Sequence, residues 1–212
     1  MALPLDIEAT PPEANLIFGK ELPLAEKYAQ LLARDGDMLG LIGPRELPKL
    51  WSRHILNSAV VTDLVQSGQS VADVGSGAGL PGIPMAIRMP SAHFTLIEPM
   101  ERRANWLANV VVPELGLTNV AVLNCRAEEA PVDSFDLVTA RAVSALPKLL
   151  KMVVDLAKPG GSILALKGAK AQDEIDESRP LMKKLGIKDF EIITVGEKYL
   201  KEPTTVVQIG LL

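Results

Sequence analysis

The run Val71-Ala72-Asp73-Val74-Gly75-Ser76-Gly77-Ala78-Gly79-Leu80-Pro81-Gly82 carries the clearest chemistry in the chain. An apolar stretch holding one carboxylate, Asp73, opens into alternating glycines. Glycine lets a backbone approach a ligand closely and adopt conformations that a Cβ forbids. Between a strand and a helix, such a turn can cradle a nucleotide-like cofactor at the carboxyl end of the strand. An ordinary tight turn is the alternative, but it would not call for Gly75, Gly77 and Gly79 in alternation with Gly82 behind them.

Two cofactor classes suit this loop. Gly77-Ala78-Gly79-Leu80-Pro81-Gly82 satisfies G-x-G-x-x-G, and Glu98 lies 19 residues after Gly79, where an acid grips a ribose. An NAD-dependent oxidoreductase is therefore one reading. Asp73 argues against it, because a carboxylate just before the first glycine suits an ammonium group or its water better than a pyrophosphate. S-adenosylmethionine offers two ribose hydroxyls to Glu98, a cationic amine to Asp73, and no phosphate. Methyl transfer is favoured.

Other charged residues fall at the ends of expected elements. Arg141 follows an apolar strand and emerges at the mouth of the crevice, where a guanidinium can pair with a carboxylate, a phosphate or a base. The competing role is a structural salt bridge to Asp73 or Asp136. Lys167 ends a later strand and could meet a phosphate, or be an ordinary solvated lysine. Arg53 projects from an amphipathic helix whose Trp51 and Ile55 share the core face, and it suits a phosphate. His54 is balanced between packing and contact with a polar partner. Arg102 and Arg103 open a helix and are expected to be exposed. Cys125 reads as a small core residue with nothing near it to make it a nucleophile. With one Cys and two His in the chain, no metal constellation is visible.

These residues require a scaffold that alternates strand and helix. Apolar, β-rich runs are expected at 70–74, 93–97, 120–125, 135–140 and 162–166, with helices at 83–88, 101–115, 145–156 and 171–185. Alternation of this kind builds a mostly parallel sheet covered on both faces. The last two strands, 190–195 and 204–211, have no helix between them and should form an antiparallel hairpin at the sheet's edge. That ending departs from the fully parallel dinucleotide-binding sheet. From 13 to 65 the pattern is helical: Leu24, Tyr28, Leu31 and Leu32 recur at helical spacing, as do Leu47, Leu50, Trp51, Ile55 and Leu56. The expected organisation is an α/β, Rossmann-like domain at 67–212, with an N-terminal helical extension at 1–66 packed on it as one unit.

Composition excludes several classes. A 48% hydrophobic content is not that of a disordered chain, and no run of about 18 apolar residues could span a bilayer. The opening residues lack the basic and apolar parts of a secretory signal, and the lone Cys125 cannot form an internal disulfide; the expectation is a cytoplasmic protein. Net charge is −4, yet residues 100–170 hold nine basic and seven acidic side chains, a local excess of +2. A protein that visits RNA needs a local basic face more than a high overall pI.

The segment Asp73-Val74-Gly75-Ser76-Gly77-Ala78-Gly79-Leu80-Pro81-Gly82-Ile83-Pro84 resembles the signature of the RsmG (GidB) methyltransferases. The resemblance continues through Arg53-His54-Ile55-Leu56-Asn57-Ser58, His93-Phe94-Thr95-Leu96-Ile97-Glu98, Arg126-Ala127-Glu128-Glu129, Thr139-Ala140-Arg141-Ala142 and Leu166-Lys167-Gly168. It implies a class I methyltransferase fold and transfer of methyl from S-adenosylmethionine to N7 of a guanine in the decoding region of 16S rRNA. The substrate would be the RNA, the small ribosomal subunit or an assembly intermediate, and the enzyme a monomer with no membrane partner. Implied cofactor contacts are Gly75, Leu80, Ala127, Glu128 and Arg141, beside Asp73 and Glu98 and the loop glycines Gly77 and Gly79. Implied RNA contacts are Arg53, His54 and Lys167. Guanine N7 already carries a lone pair, so no general base is required, and Arg141 would position the substrate. Asn57 and Ala78 stand where many members have aspartate and proline. Apart from the resemblance, a small-molecule methyltransferase and a non-catalytic cofactor-binding module fit the same pocket.

Overall fold

The computed structural model describes residues 7–211; residues 1–6 and 212, at the ends of the two expected units, lie outside it. Among the described residues a seven-stranded sheet forms in the order β3-β2-β1-β4-β5-β7-β6. The strands are β1 (Ser70–Val74), β2 (His93–Ile97), β3 (Val120–Leu123), β4 (Phe135–Arg141), β5 (Ala157–Lys167), β6 (Asp189–Val195) and β7 (Thr204–Gly210). The first five pair in parallel, and β7 runs antiparallel between β5 and β6. Connections leave β1 toward β2 on one side while β4 lies on the other, so a crevice opens above the carboxyl end of β1.

Period-two alternation sorts the strand residues onto two faces. Val71, Leu137, Leu164 and Val206 belong to one buried cluster, and their neighbours Ala72, Val138, Ala165 and Val207 to the other. The second face is covered by α7 (Leu146–Val153) and α8 (Ala171–Lys184), which contribute Leu146, Leu150, Ile175 and Met182. The first is covered by α4 (Gly82–Arg88), by α5 (Glu101–Trp106) and α6 (Val112–Leu115), and by α1 (Pro12–Phe18), α2 (Leu22–Asp35) and α3 (Leu56–Ala59). Tyr28, Leu32, Trp51 and Ile55 of the N-terminal helices share one cluster with Val71, Leu96 and Leu164 of the sheet.

Polar contacts tie the same helices to the α/β core. Trp106 Nε1 donates to Asp35 Oδ2 at 2.7 Å, and Arg88 pairs with Asp63 at 2.8 Å. Thr204 Oγ1 donates to the Asn57 carbonyl at 2.8 Å, linking β7 to α3. Residues 7–66 thus complete one of the two helical layers.

The structure corrects several local expectations. β5 begins at Ala157, five residues before the expected start, because Phe135 pairs with Ala157 across a register shift. Lys158-Pro159-Gly160-Gly161 reads as a breaker in sequence, but an irregular pairing tolerates it. The single helix expected over 101–115 contains a widened π turn, Leu107–Val111, just before Pro113; widening relieves the clash of a proline ring with the preceding turn. Cys125 lies beyond the end of β3 and is half-buried at the rim of the second cluster, not inside the core. Arg103 is partly buried and donates to the Gly40 carbonyl at 2.8 Å, whereas Arg102 is exposed as expected. Trp51 is core, 2% exposed.

Candidate active site

Strand register brings the first site residues together. Val74 pairs with both Ile97 and Ala140, so Gly75, Glu98 and Arg141 follow at one level from β1, β2 and β4. Arg141 pairs with Leu166, which puts Lys167 one step farther along β5. On the other side, Asn124 after β3 donates from Nδ2 to the Glu98 carbonyl at 2.9 Å.

The glycine loop is held by the two carboxylates it encloses. Asp73 is fully buried, and its Oδ2 accepts the Gly82 N–H at 3.0 Å. Its Oδ1 has no partner among the described residues. Burial, only partly offset by the Gly82 N–H, pushes the Asp73 carboxyl up to about 7. Glu98, 3% exposed, accepts the Gly77 N–H on Oε2 and the Met100 N–H on Oε1, each at 2.8 Å. A carboxylate oxygen with one bond keeps acceptor capacity, so Glu98 can still take hydroxyl donors.

Two glycines need their missing Cβ for different reasons. At Gly82 a Cβ would overlap Leu96 Cδ2 and lie 2.7 Å from Asp73 Oδ2, so the position serves packing against the buried carboxylate. At Gly77, with φ +55°, a Cβ would meet nothing closer than 3.8 Å, leaving open space above the loop. Asp73 Oδ1, sealed beneath the loop without a partner among the described residues, is the one buried acceptor here that a cationic amine or its water could satisfy. Tyr28 on α2 closes the loop from below, donating its hydroxyl hydrogen to the Ala78 carbonyl at 2.7 Å. The Leu80–Pro81 peptide is cis.

A cavity of about 240 Å³ adjoins Gly75 and is walled by Ile97, Ala127, Glu128, Val143 and Met152. The apolar members could sandwich a flat ring. Glu128 and Glu129, alike in sequence, have separate positions: Glu129 caps its own short turn by accepting the Arg126 N–H at 3.0 Å, while Glu128 lines the cavity. Leu80 and Gly79 do not line this cavity; Leu80 packs on the first core cluster and Gly79 lies against Ile83.

Ser144 also lines a second, more open cleft of about 710 Å³, together with Arg53, Asn57, Arg141, Lys167 and Glu202. Three of the basic residues singled out by sequence therefore share one wall system next to the Gly75 cavity. Their environments differ from expectation. Lys167, 9% exposed in its side chain, pairs with Glu174 at 2.8 Å and donates to the Ser144 carbonyl, so it is not a solvated loop lysine. Arg53 is 59% exposed in its side chain and lies 3.3 Å from Glu46. Arg141 makes no salt bridge to Asp73 or Asp136 among the described residues; Asp136 is occupied by Lys158 and Ser70. Arg141 instead reaches back to the N-terminal segment, donating to Ser58 Oγ at 3.2 Å and to the ring of His54.

His54 has turned inward, with a side chain 12% exposed and Nε2 bonded to Glu46 at 2.7 Å. Burial first, and the Arg141 guanidinium second, hold its pKa below the ordinary 6.5, although Glu46 acts in the opposite direction. Ala142 follows Arg141 at φ +55°, an uncommon conformation for a residue with a Cβ. That turn lets Arg141 face α3 while Val143 lines the Gly75 cavity.

Tyr28, Glu46, Ser58, Val143 and Ser144 were not singled out in sequence. Tyr28 falls on the core face of an amphipathic helix, and only its need for a buried hydroxyl partner hinted at more. Among the described residues no cluster of His, Cys, Asp and Glu could hold a metal ion, and no helix is long and apolar enough to cross a membrane.

Comparison with known proteins yields concordant matches. The family model described as GidB, rRNA small subunit methyltransferase G, matches residues 21–203. A protein of Arthrobacter sp. (strain FB24) named Ribosomal RNA small subunit methyltransferase G is 51% identical over 197 residues, covering 92% of this chain and 91% of its own length. A protein of the same name from Mycobacterium sp. (strain KMS) is 48% identical over 204 residues, covering 94% and 90%. Among solved structures, a putative S-adenosyl-L-methionine-dependent methyltransferase from Methanococcus maripaludis superimposes with TM-score 0.60 at 14% identity, covering 87% of this chain and 93% of that one. TYW2 from M. jannaschii, in complex with AdoMet, gives TM-score 0.56 at 20% identity, covering 74% and 72%. At these identities the two structures speak for the fold alone.

Proposed function

The chain belongs to the GidB family of rRNA small subunit methyltransferase G proteins, and from that premise we propose that it transfers a methyl group from S-adenosylmethionine to N7 of a guanine in the decoding region of 16S rRNA. The observation that carries this reading is the register of β2, β1 and β4, which sets Gly75, Glu98 and Arg141 side by side, Gly75 lining one cavity and Arg141 an arginine- and lysine-lined cleft that shares Ser144 with it. When bound, the cofactor supplies a methyl group activated by a sulfonium.

The chain's own residues divide the remaining work. Asp73 holds the cationic amine through the oxygen that has no protein partner. Glu98 accepts the ribose hydroxyls. Ala127 and Glu128 hold the adenine edge, and Gly75, Gly77 and Gly79 shape the loop around the cofactor with Leu80. On the substrate side, exposed Arg53 meets RNA phosphate, Arg141 orients the base, and Lys167 reaches a phosphate only by exchanging it for Glu174. A donor bonded to N7 itself would block attack, so Arg141 must act on a neighbouring acceptor. Because N7 carries a free lone pair, alignment and electrostatics suffice, and no side chain need remove a proton. The base must be unstacked or lie in an exposed loop to reach the cavity. The enzyme acts as a monomer in the cytoplasm, on the small subunit or a precursor of it.

The test is transfer of labelled methyl from S-adenosylmethionine to small subunits lacking N7 methylation. Label on one decoding-region guanine, absent when Gly75 is replaced by a bulky residue that must displace Val143, supports the reading. Absence of label with S-adenosylhomocysteine still bound would redirect it to another acceptor, such as a small molecule. Failure to bind S-adenosylhomocysteine would overturn it.

A further inference from the structure

Arg141 is held by an unusually complete set of acceptors. One terminal nitrogen donates to the His54 carbonyl at 3.3 Å and to Ser58 Oγ at 3.2 Å. The other donates to the Arg53 carbonyl at 3.4 Å and to His54 Nδ1. A guanidinium has about five N–H donors and no acceptor. Of these only the Nε–H of Arg141 is left without a partner among the described residues, and Arg141 lines the cleft next to the cofactor cavity.

Protonation at His54 follows from this without further assumption. Because Arg141 can only donate, Nδ1 of His54 must be the unprotonated nitrogen. The proton then resides on Nε2 and is donated to the Glu46 carboxylate, 2.7 Å away. A second proton on the ring would set N–H against N–H and break the contact with Arg141. Glu46 also lies 3.3 Å from Arg53, so one carboxylate touches both the buried ring and an exposed arginine of the same helical segment.

We infer that Glu46 and His54 are positioning residues for Arg141: the carboxylate selects the Nε2–H tautomer of His54, and Nδ1 of that tautomer locks the guanidinium with its Nε–H free for an oxygen acceptor on the substrate. This rests on the proposed rRNA methyltransferase reading and adds two residues that touch neither cofactor nor substrate. The charged groups facing the pair are Glu46 and Arg53 on their own segment, Arg141 and Asp73 from the sheet, and the Tyr28 hydroxyl from α2. Asp73 titrates near 7 but acts on the cofactor's amine, so assays at saturating S-adenosylmethionine separate its effect from that of His54.

The experiment is the pH profile of single-turnover transfer at saturating cofactor for the intact protein, His54→Ala, His54→Asn and Glu46→Gln. In the unsubstituted protein the rate falls on the acid side as His54 gains its second proton. His54→Ala lowers the rate by about tenfold or more while S-adenosylhomocysteine affinity is retained. Asn offers an acceptor near the Nδ1 position that does not titrate, so His54→Asn regains most of the lost rate and flattens the acid limb. Glu46→Gln removes the charge that favours the imidazolium and moves the acid limb to lower pH. An acid limb unchanged in His54→Asn, or a limb that moves upward in Glu46→Gln, overturns the inference. If the unsubstituted protein labels no RNA, the acceptor assignment fails and the relay is read directly from the ring nitrogen shifts of His54. A single Nε2–H tautomer in the intact protein, lost in Arg141→Ala, sustains the relay, and a mixture of tautomers in the intact protein refutes it.

Discussion

Tyr28 and Ala78 lie fifty residues apart in sequence and are joined by a buried 2.7 Å hydrogen bond, phenol hydroxyl to loop carbonyl. This bond fastens the N-terminal helical layer to the turn proposed to hold the cofactor. Desolvation first, and the nearby Asp73 second, push the phenol's pKa well above its ordinary value, so it remains a donor throughout the working range. Tyr28→Phe keeps the ring and orphans the Ala78 carbonyl. The expected result is a loss of about 1–3 kcal/mol in stability, seen in denaturant titration, and weaker S-adenosylhomocysteine binding. Unchanged values of both would show the bond to be dispensable.

Asp73 should oppose stability and favour binding. Its folded-state pKa of about 7 lies above the unfolded value near 3.8. The folded state therefore binds the extra proton, and the stabilisation from it is full below about pH 4 and lost as pH rises through about 7. At pH 8 the charge is buried at a cost of a few kcal/mol. Asp73→Asn should then raise the melting temperature of the ligand-free protein most at pH 8, less at pH 5 and little below about pH 4, and weaken S-adenosylmethionine binding at pH 8 by about tenfold or more. A lower melting temperature at pH 8 would contradict this account.

Gly82 and Gly77 separate packing from ligand access. Gly82→Ala forces a Cβ into Leu96 and toward Asp73 Oδ2 at 2.7 Å, so destabilisation above about 2 kcal/mol is expected in thermal unfolding. Gly77→Ala meets no atom within 3.4 Å and is penalised by its φ of +55° alone, about 1 kcal/mol. Its main consequence should be weaker cofactor binding, measured by calorimetry. Equal stability losses at the two positions would contradict the distinction.

Arg141→Ala should cost both activity and stability. Read from sequence as a side chain at the crevice mouth, Arg141 could be removed with little effect on the fold. The structure shows it bonded to two carbonyls, a hydroxyl and a ring nitrogen of the N-terminal segment. Removal leaves these partly buried partners unmatched, so a loss of about 1–3 kcal/mol accompanies a fall of about a hundredfold or more in single-turnover transfer. Full activity in a folded Arg141→Ala variant would remove this residue from the mechanism.

The local pattern of the chain determined what depends on local physics. Alternating β-rich runs and amphipathic helices specify a mostly parallel sheet, and the strand that carries Asp73 runs straight into Gly75, so the glycine turn was legible. The helix-free ending specified the β6–β7 hairpin. What the sequence left open depended on register and on contacts across long separations. Nothing in the order of residues shows that Val74, Ile97 and Ala140 stand at one level, yet that level aligns Gly75, Glu98 and Arg141. Composition and spacing alone did not separate Glu128 from Glu129; the resemblance named Glu128, and the fold shows Glu129 capping the turn while Glu128 lines the cavity. Arg141, read as a side chain at the crevice mouth, and His54, balanced between packing and RNA contact, lie 87 residues apart and looked unrelated. Tertiary packing buried them against one another, and once buried, a donor-only guanidinium required an acceptor that the imidazole supplies.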